Sequence, residues 1–561
     1  GGRANVFATL GRTKAFFEGT GTGSLQDLRE WLNSQAEGSQ AQSRVGLWLP
    51  KETGLTGRHC ADRLLAVLDS LIPKAMAALP SDEEDLIEFL FAHGVLPAYA
   101  FPRDLVALEI QKPGSHETEQ RPQQGARIAL SEYAPGRTVV VNKRTYRVGA
   151  VTAATAINEV RKARPLFEHP GRYLQCANCL NTMSPDVDLD GRPCPVCALS
   201  QMEPITVIQP QIAWPQDGRP IDEFDDDQEY TETTLAQLPV PASDGAFEAP
   251  RRFGPRSEVR FGRQVPLVIV NRGSIVAGQP KGFRVCRDCG HVPLGDAPFD
   301  THRRHYRLPP YVKASDRCNG QMETVYLGYE FRTDVVLVRT QLSRPFASDI
   351  RDPAVAPQVR AACTSLSAAL ALAAADSLGV SQRELESGYR LRRMDTGESF
   401  VELFMYDSLA GGAGYSRAVG EDFDKVFAMA LRRLAGCDCQ TSCSRCLRTY
   451  QNRMSHSTLD RRLGHELGVY IQTGAAPEIM DVGRQRAILR PLASMLGLGG
   501  WQVVPSASAA LEAKRDSASA QLHLRPSLRD LADVPNEWHQ GIVYSQFEIE
   551  KDLPSCLLKL P

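Results

Sequence analysis

Eleven of the chain's 14 cysteines fall into three tight groups, and that clustering constrains the fold more than any other feature of the sequence. The groups are Cys176, Cys179, Cys194 and Cys197; Cys286, Cys289 and Cys318; and Cys437, Cys439, Cys443 and Cys446. Cys60, Cys363 and Cys556 stand alone. Nothing resembles a signal peptide, and the longest apolar stretch, Ala368 to Ala375, is too short to span a bilayer. Clustered CxxC pairs in a large chain of a reducing compartment read as metal sites rather than disulfides. A cytoplasmic location with no membrane partner is expected.

Each group has its own logic. In Cys176-x2-Cys179-x14-Cys194-x2-Cys197, each knuckle puts two thiolates on one side of a tight turn, and two facing knuckles build a tetrahedral zinc site. The second group has only three thiols and needs a fourth ligand. Imidazole suits zinc, so His302 or His305 is the expected donor, whereas His291 follows the first knuckle too closely. The third group packs four thiols into ten residues at a spacing unlike the ferredoxin run, which makes an iron–sulfur cluster the secondary reading. None of the groups leaves an evident open coordination position. Three structural Zn2+ ions are therefore expected, none acting as a Lewis acid.

The 561 residues suggest three or four domains at about 150 residues each. The fold class read from them is α+β and multidomain, with zinc ribbons or knuckles inserted in β-rich segments. Residues 1–125 read as mainly helical, with a helix over Arg63 to Ala92. Residues 126–285 read as β-rich, holding the first zinc ribbon at 173–200 and an acidic linker at 215–250. There Thr138 to Val151 reads as a hairpin turning at Asn142-Lys143, and Ile205 to Ile212 as one strand. Residues 286–345 carry the second knuckle and strands. Residues 346–474 form an α/β zinc-binding unit: a helix Ala356 to Leu378 capped by Gly379, a hairpin, a helix reaching Leu434, and another over Ser457 to Gln472. Residues 475–561 read as a small α/β region.

The net charge of −2 excludes a uniformly basic nucleic-acid coat but conceals two windows of +4. One sets seven arginines between Leu431 and Leu467 against Asp438, Asp460 and Glu466, with Tyr450 for stacking. The other sets Arg251, Arg252, Arg256, Arg260 and Arg263 against Glu258, interleaved with Phe253 and Phe261. The expected nucleic-acid contacts are Arg251, Arg252, Arg256, Arg260, Arg445, Arg448, Arg453 and Arg461. The Gly411–Gly414 turn, between a strand and a helix, is a further place to receive a phosphate. The dipeptide Gly-Lys is absent, so there is no Walker A loop, and there is no HExxH or Gly-x-Ser-x-Gly either. No catalytic residue is assigned.

Taken together, Tyr406-Asp407-Ser408-Leu409-Ala410-Gly411-Gly412-Ala413-Gly414, the compact third cysteine group, and Tyr450-Gln451-Asn452 through His456 and Leu459-Asp460-Arg461 resemble the MrfA-like zinc-binding domain. That domain occurs at the C-terminus of certain superfamily 2 DNA helicases. Gly94-Val95-Leu96-Pro97, Tyr99-Ala100-Phe101-Pro102 and Glu132-Tyr133-Ala134-Pro135-Gly136 resemble the region preceding it in the same proteins. No helicase motor accompanies these segments. Stand-alone chains of this kind resemble the DrmB subunit of the bacterial DISARM anti-phage system. The resemblance implies a non-catalytic, DNA-engaging subunit that partners a separate DrmA-like helicase and restricts phage DNA. The alternatives are the detached C-terminal part of a DNA-repair helicase or a cryptic nuclease. The resemblance supplies no catalytic residues and does not cover 475–561.

Overall fold

A computed structural model describes residues 13–18, 24–36, 57–77, 86, 90, 95 and most of 104–561. Within the last span, residues 113–114, 116, 155–160, 186–189, 198, 222–230, 232, 240–245, 277–278, 294–304, 307–316, 319, 353, 395–396 and 410 lie outside the description. The acidic run Asp222–Asp227, the glycine-rich stretch Gly19–Gly23 and His302 therefore fall outside the described residues. The chain divides into two units: residues 1–102 with 409–413, and 103–408 with 414–561.

In the first unit, helices α1 (Thr13–Glu18), α2 (Leu25–Ala36) and α3 (Gly57–Ala77) share a core of Phe16, Phe17, Leu25, Leu65, Leu68, Leu71 and Ala75. The apolar positions of α3 recur every three or four residues, which lines one face of a helix. The helix starts six residues before the predicted Arg63 and holds Pro73 inside it.

In the second unit, a hairpin of β1 (Thr138–Val141) and β2 (Arg144–Thr152) turns through Asn142 and Lys143, both at positive φ (48° and 65°). Those angles define the turn whose twist matches paired strands, as predicted. Farther on lie β3 (Gly171–Cys176), β4 (Met202–Ile208) and β5 (Ile212–Pro215). The single strand expected over Ile205–Ile212 is thus two. Pro210, which cannot donate to a ladder, lies between them, and they enter different sheets.

The frame of this unit is a nine-stranded sheet. Its members include β6 (Arg251–Gly254), β7 (Ser257–Asn271), β8 (Phe283–Cys286) and a 21-residue strand. A two-stranded ladder of β9 (His305–Tyr306) and β10 (Arg317–Cys318) precedes that strand, β11 (Met322–Leu342). After helix α4 (Ala356–Leu378), the hairpin β12 (Leu385–Arg393) and β13 (Ser399–Asp407) completes the sheet. Along one edge β11 pairs with β7, from Ser257↔Thr340 to Asn271↔Leu327. Along the other, β13 takes its C-terminal half (Val335↔Tyr406 to Leu342↔Ser399) and β4 meets it at Tyr326 and Leu327, while β8 pairs with its first residues, Met322 to Val325. The sequence of β11 is rich in Val, Tyr and Thr and free of Pro, which suits so long a pleated run.

Helices cover one face of this sheet. Val336, Val338, Val401, Leu403 and Met405 project toward α4 and toward α6 (Phe423–Ala435) and α7 (Arg461–Thr473), which follow the short α5 (Tyr415–Glu421). Gly379 ends α4 in the left-handed conformation (φ 66°), as predicted. By length and hydropathy α4 could cross a membrane, although its longest uninterrupted apolar run is short; 67% of its apolar window is buried inside the fold. The helix predicted to run to Leu434 is broken at Asp422 into α5 and α6. The one predicted from Ser457 starts at Arg461, where the Asp460 carboxylate accepts from Arg462 N (2.9 Å) and Leu463 N (3.4 Å). Beyond it, α8 (Val482–Leu498) packs Leu489, Leu492 and Leu496 on a four-stranded sheet with Trp501, Leu522, Leu524 and Tyr544.

Candidate metal centres and nucleic-acid interface

A tetrahedron of sulfurs about 2.3 Å from a zinc ion has edges of roughly 3.8 Å, far longer than the ~2.05 Å of a disulfide. In the first group Cys176 Sγ lies 3.5 Å from Cys197 Sγ, and Cys179 Sγ lies 3.6 Å from Cys194 Sγ. In the third, the Sγ distances are 3.5 Å for Cys437–Cys439, 3.6 Å for Cys437–Cys443, 3.7 Å for Cys439–Cys446 and 3.8 Å for Cys443–Cys446. All four sulfurs of each group lie within 4.8 Å of one another. These sets fit zinc. Backbone amides point at the sulfurs as thiolates require: Cys179 N to Cys176 (3.5 Å), Val196 N to Cys194 (3.4 Å) and Cys443 N to Cys446 (3.2 Å). Hydrogen bonding from the Arg445 amide lowers the Cys443 thiol and that from Cys179 lowers Cys194, while the Cys194 thiol and burial raise Cys179, and burial and neighbouring thiols raise Cys439.

The second group brings Cys286, Cys289 and Cys318 together, with Cys286 Sγ 3.8 Å from Cys318 Sγ. Cys286 ends β8, and the turn after it needs Gly290. That residue sits at φ 81°, and a Cβ there would stand 2.0 Å from the carbonyl oxygen of Val151. Of the two histidines expected as fourth ligand, His305 stands on β9 directly opposite Cys318 on β10. The three cysteine groups give the chain three sites capable of holding zinc.

The loop of the third group is held from both sides. Arg461 at the start of α7 donates through Nε to the Cys439 carbonyl (2.7 Å) and through Nη1 to the Leu434 carbonyl (3.2 Å). Arg433 reaches the Cys446 carbonyl (3.3 Å) and pairs with Asp376. Asn452 donates to the Leu447 carbonyl (2.8 Å) and accepts from Thr449 N (2.9 Å), while His456 Nε2 lies 3.0 Å from Asn452 Oδ1. Asn452, His456 and Arg461 thus brace the metal loop.

Apart from Arg461, the predicted arginines separate into two sets. Arg445, Arg448 and Arg453 are exposed on the rim of the third group together with Arg432. Arg432, Arg433 and Arg445 also line a cleft of about 490 Å³ with Asp376 and Asp438. Arg448 bonds Ser442 Oγ (2.9 Å), and Arg453 lies 4.4 Å over the ring of Tyr450, which is 74% exposed. Arg251, Arg252, Arg256 and Arg260 lie on the β6–β7 hairpin. Arg251 pairs with Asp424 (2.8 Å) and Arg260 with Glu258 (3.0 Å), whereas Arg252 and Arg256 are exposed. The hairpin docks at the far end of the α6–α7 pair, with Phe253 edge-on to Phe423 (5.0 Å) and Gly254 against the Ile471 carbonyl. Thirteen helical residues put about 20 Å between the two sets.

Phe253 and Phe261, interleaved with the arginines in the sequence, pack against the helix-covered core, because alternation along a strand sends them to the face opposite Arg252 and Arg260. The Gly411–Gly414 turn does not leave the α5 amides open: Asp407 accepts from Tyr415 N (3.2 Å) and Ser416 N (2.7 Å).

Residues 366–447, which end just past the last ligand of the third group, match the MrfA Zn-binding domain. The chain thus carries that domain, joined to two further cysteine centres. Over 598 aligned residues it is 30% identical to Druantia protein DruE of Escherichia coli (strain UMEA 4076-1), covering 98% of this chain and 32% of that protein. It therefore spans about a third of the length of that relative. Solved structures of the DUF1998 helicase MrfA are also similar. The DNA-bound form has a TM-score of 0.32 at 12% identity, over 69% of this chain and 37% of that one. A further MrfA structure has 0.24 at 9%, over 62% and 32%.

Proposed function

We propose that this chain is a zinc-stapled, DNA-engaging module of a helicase-dependent phage-defence assembly. The observation that carries the reading is the exposed basic rim of Arg432, Arg445, Arg448 and Arg453 around the third metal group, whose four cysteines lie inside the MrfA Zn-binding domain. Guanidiniums there meet backbone phosphates, and Tyr450 offers a ring to an unpaired base. The exposed Arg252 and Arg256, about 20 Å away, extend the contact over roughly six phosphates of one strand. The metals are structural. Zinc would hold each loop's shape, with His305 as the fourth ligand of the second site. The chain itself performs no catalysis, and the motor is a superfamily 2 helicase.

Two arrangements of that motor are open to test. In the DrmB-like arrangement of DISARM the helicase is a separate, DrmA-like chain. Similarity to a third of the Druantia relative favours a second arrangement, in which the module belongs to a DruE-like system. Anisotropy of a labelled oligonucleotide, titrated against salt, tests the core of the proposal. Arg445→Gln with Arg448→Gln is expected to weaken binding and flatten the salt slope by about 0.7 per lost phosphate contact on a single strand. Salt-insensitive binding, or none, would overturn it, and so would ATP hydrolysis by the purified chain.

A further inference from the structure

The sheet face turned away from α4, α6 and α7 carries a charged row that crosses five strands. The register places Arg252 opposite Glu258, Glu258 opposite Arg339, Arg339 opposite Glu402, and Glu402 opposite Arg390. Alternating signs in adjacent strands stabilise such a row. Two residues along their strands, on the same face, stand Arg260 and Arg392, and Arg256 lies in the turn that joins β6 to β7. Six guanidiniums thus share two carboxylates.

Glu402 is fully buried and holds Arg390 at 2.5 Å, Arg339 at 3.6 Å and Arg392 only at 3.9 Å. Glu258 is occupied by Arg260 at 3.0 Å, with Arg339 at 4.0 Å. The Arg339 Nε faces Glu402 Oε1 beyond hydrogen-bond distance, and the Nε of Arg392 is buried without a hydrogen-bond partner. Such donors are costly to leave unmade, and these six arginines and two glutamates sum to four positive charges.

The face opens into a cleft of about 410 Å³. Arg252 and Arg256 stand at its mouth, and Arg339 lies against its floor, 4.2 Å over the Phe400 ring. Glu258 lines the same cleft, yet the carboxylate oxygens nearest Arg339 stand at 3.6 Å (Glu402) and 4.0 Å (Glu258), too far for hydrogen bonds, so the stacked guanidinium keeps planar N–H donors that an oxyanion can take.

We propose that this cleft holds a backbone phosphate of a single DNA strand, gripped by Arg252 and Arg256 from the mouth and by Arg339 from the floor. The assignment rests on the DNA-engaging reading and names a second contact, distinct from the rim of the third metal group. Arginine footprinting tests it on the intact chain: phenylglyoxal labelling read by mass spectrometry, alone, with oligothymidylate, and with inorganic pyrophosphate. Oligothymidylate is expected to slow labelling of Arg252, Arg256 and Arg339 severalfold. Arg252→Gln with Arg256→Gln, both exposed and so tolerated by the fold, is expected to lower the salt slope for oligothymidylate by about 0.7. Unchanged labelling and slope, with Arg445→Gln/Arg448→Gln still weakening binding, would overturn the cleft and leave the broader reading standing. Protection by pyrophosphate but not by oligothymidylate would overturn the strand in favour of a small phosphorylated ligand. Failure of the wild-type chain to bind any oligonucleotide would remove both proposals.

Discussion

Arg461 separates a bracing role from a DNA contact. Its guanidinium donates at 2.7 Å to the Cys439 carbonyl and at 3.2 Å to the Leu434 carbonyl, tying the third cysteine loop to the end of α6. Arg461→Met keeps the aliphatic stem and deletes both donors. Hydrogen bonds from a charged donor contribute about 1.5 kcal/mol or more each, so the loss is about 3 kcal/mol. With a denaturant slope near 3 kcal/mol per molar, the urea midpoint should fall by about 1 M. The informative probe is zinc release to a chromophoric chelator during the titration, because it reports the loop rather than the whole chain. The folded variant should keep the wild-type salt slope for DNA. An unchanged midpoint combined with a slope lower by about 0.7 to 0.9 would refute this reasoning and return Arg461 to the phosphate contacts.

Three other outcomes are expected. Wild-type chain should hold three zinc equivalents by elemental analysis; Cys443→Ser and Cys194→Ser should each remove one, and full retention would show that those thiols are not ligands. Gly254→Ala should cost about 2 kcal/mol in thermal unfolding, because its Cβ would stand 2.1 Å from the Ile471 carbonyl oxygen and backbone must move. Gly125→Ala, with nothing within 4 Å, is the control. Burial first, then Asp460, raises the Glu466 carboxyl to about 7, against the pull of Arg462 and Arg484. An acid raised on folding stabilises below its unfolded pKa and loses that contribution as pH climbs through the folded one. Glu466→Gln should therefore match wild type near pH 4 and exceed it in stability above pH 7, and an equal margin at both would contradict the assignment.

The cysteine centres were legible because ligand spacing is local chemistry: a knuckle needs only a few neighbouring residues to present two thiols. The left-handed turn at Asn142-Lys143 and the cap at Gly379 were readable for the same reason. The arginine hairpin was harder. Arg252, Arg256 and Arg260 were visible as charge, but their alternation with Phe253 and Phe261 is a strand period, and it decides that the rings go inward. Their partners Arg339, Glu402 and Arg390 come from strands far along the chain, so only register unites them. Asp407 shows the same limit. Nothing nearby announces that a strand-end carboxylate will take the amides of α5, because the chain must first turn back on itself.

The 21-residue strand β11 carries a consequence for how this molecule can change over evolutionary time. It is about 70 Å long and changes partners midway, serving the metal knuckles at one end and the arginine cleft at the other. One residue inserted within it would exchange faces for everything downstream, burying Arg339 among the helices and turning Val338 outward. Length differences among related chains should therefore collect in the connections on either side of β11 and spare the strand itself. Its residue count behaves as a fixed ruler between the two ends.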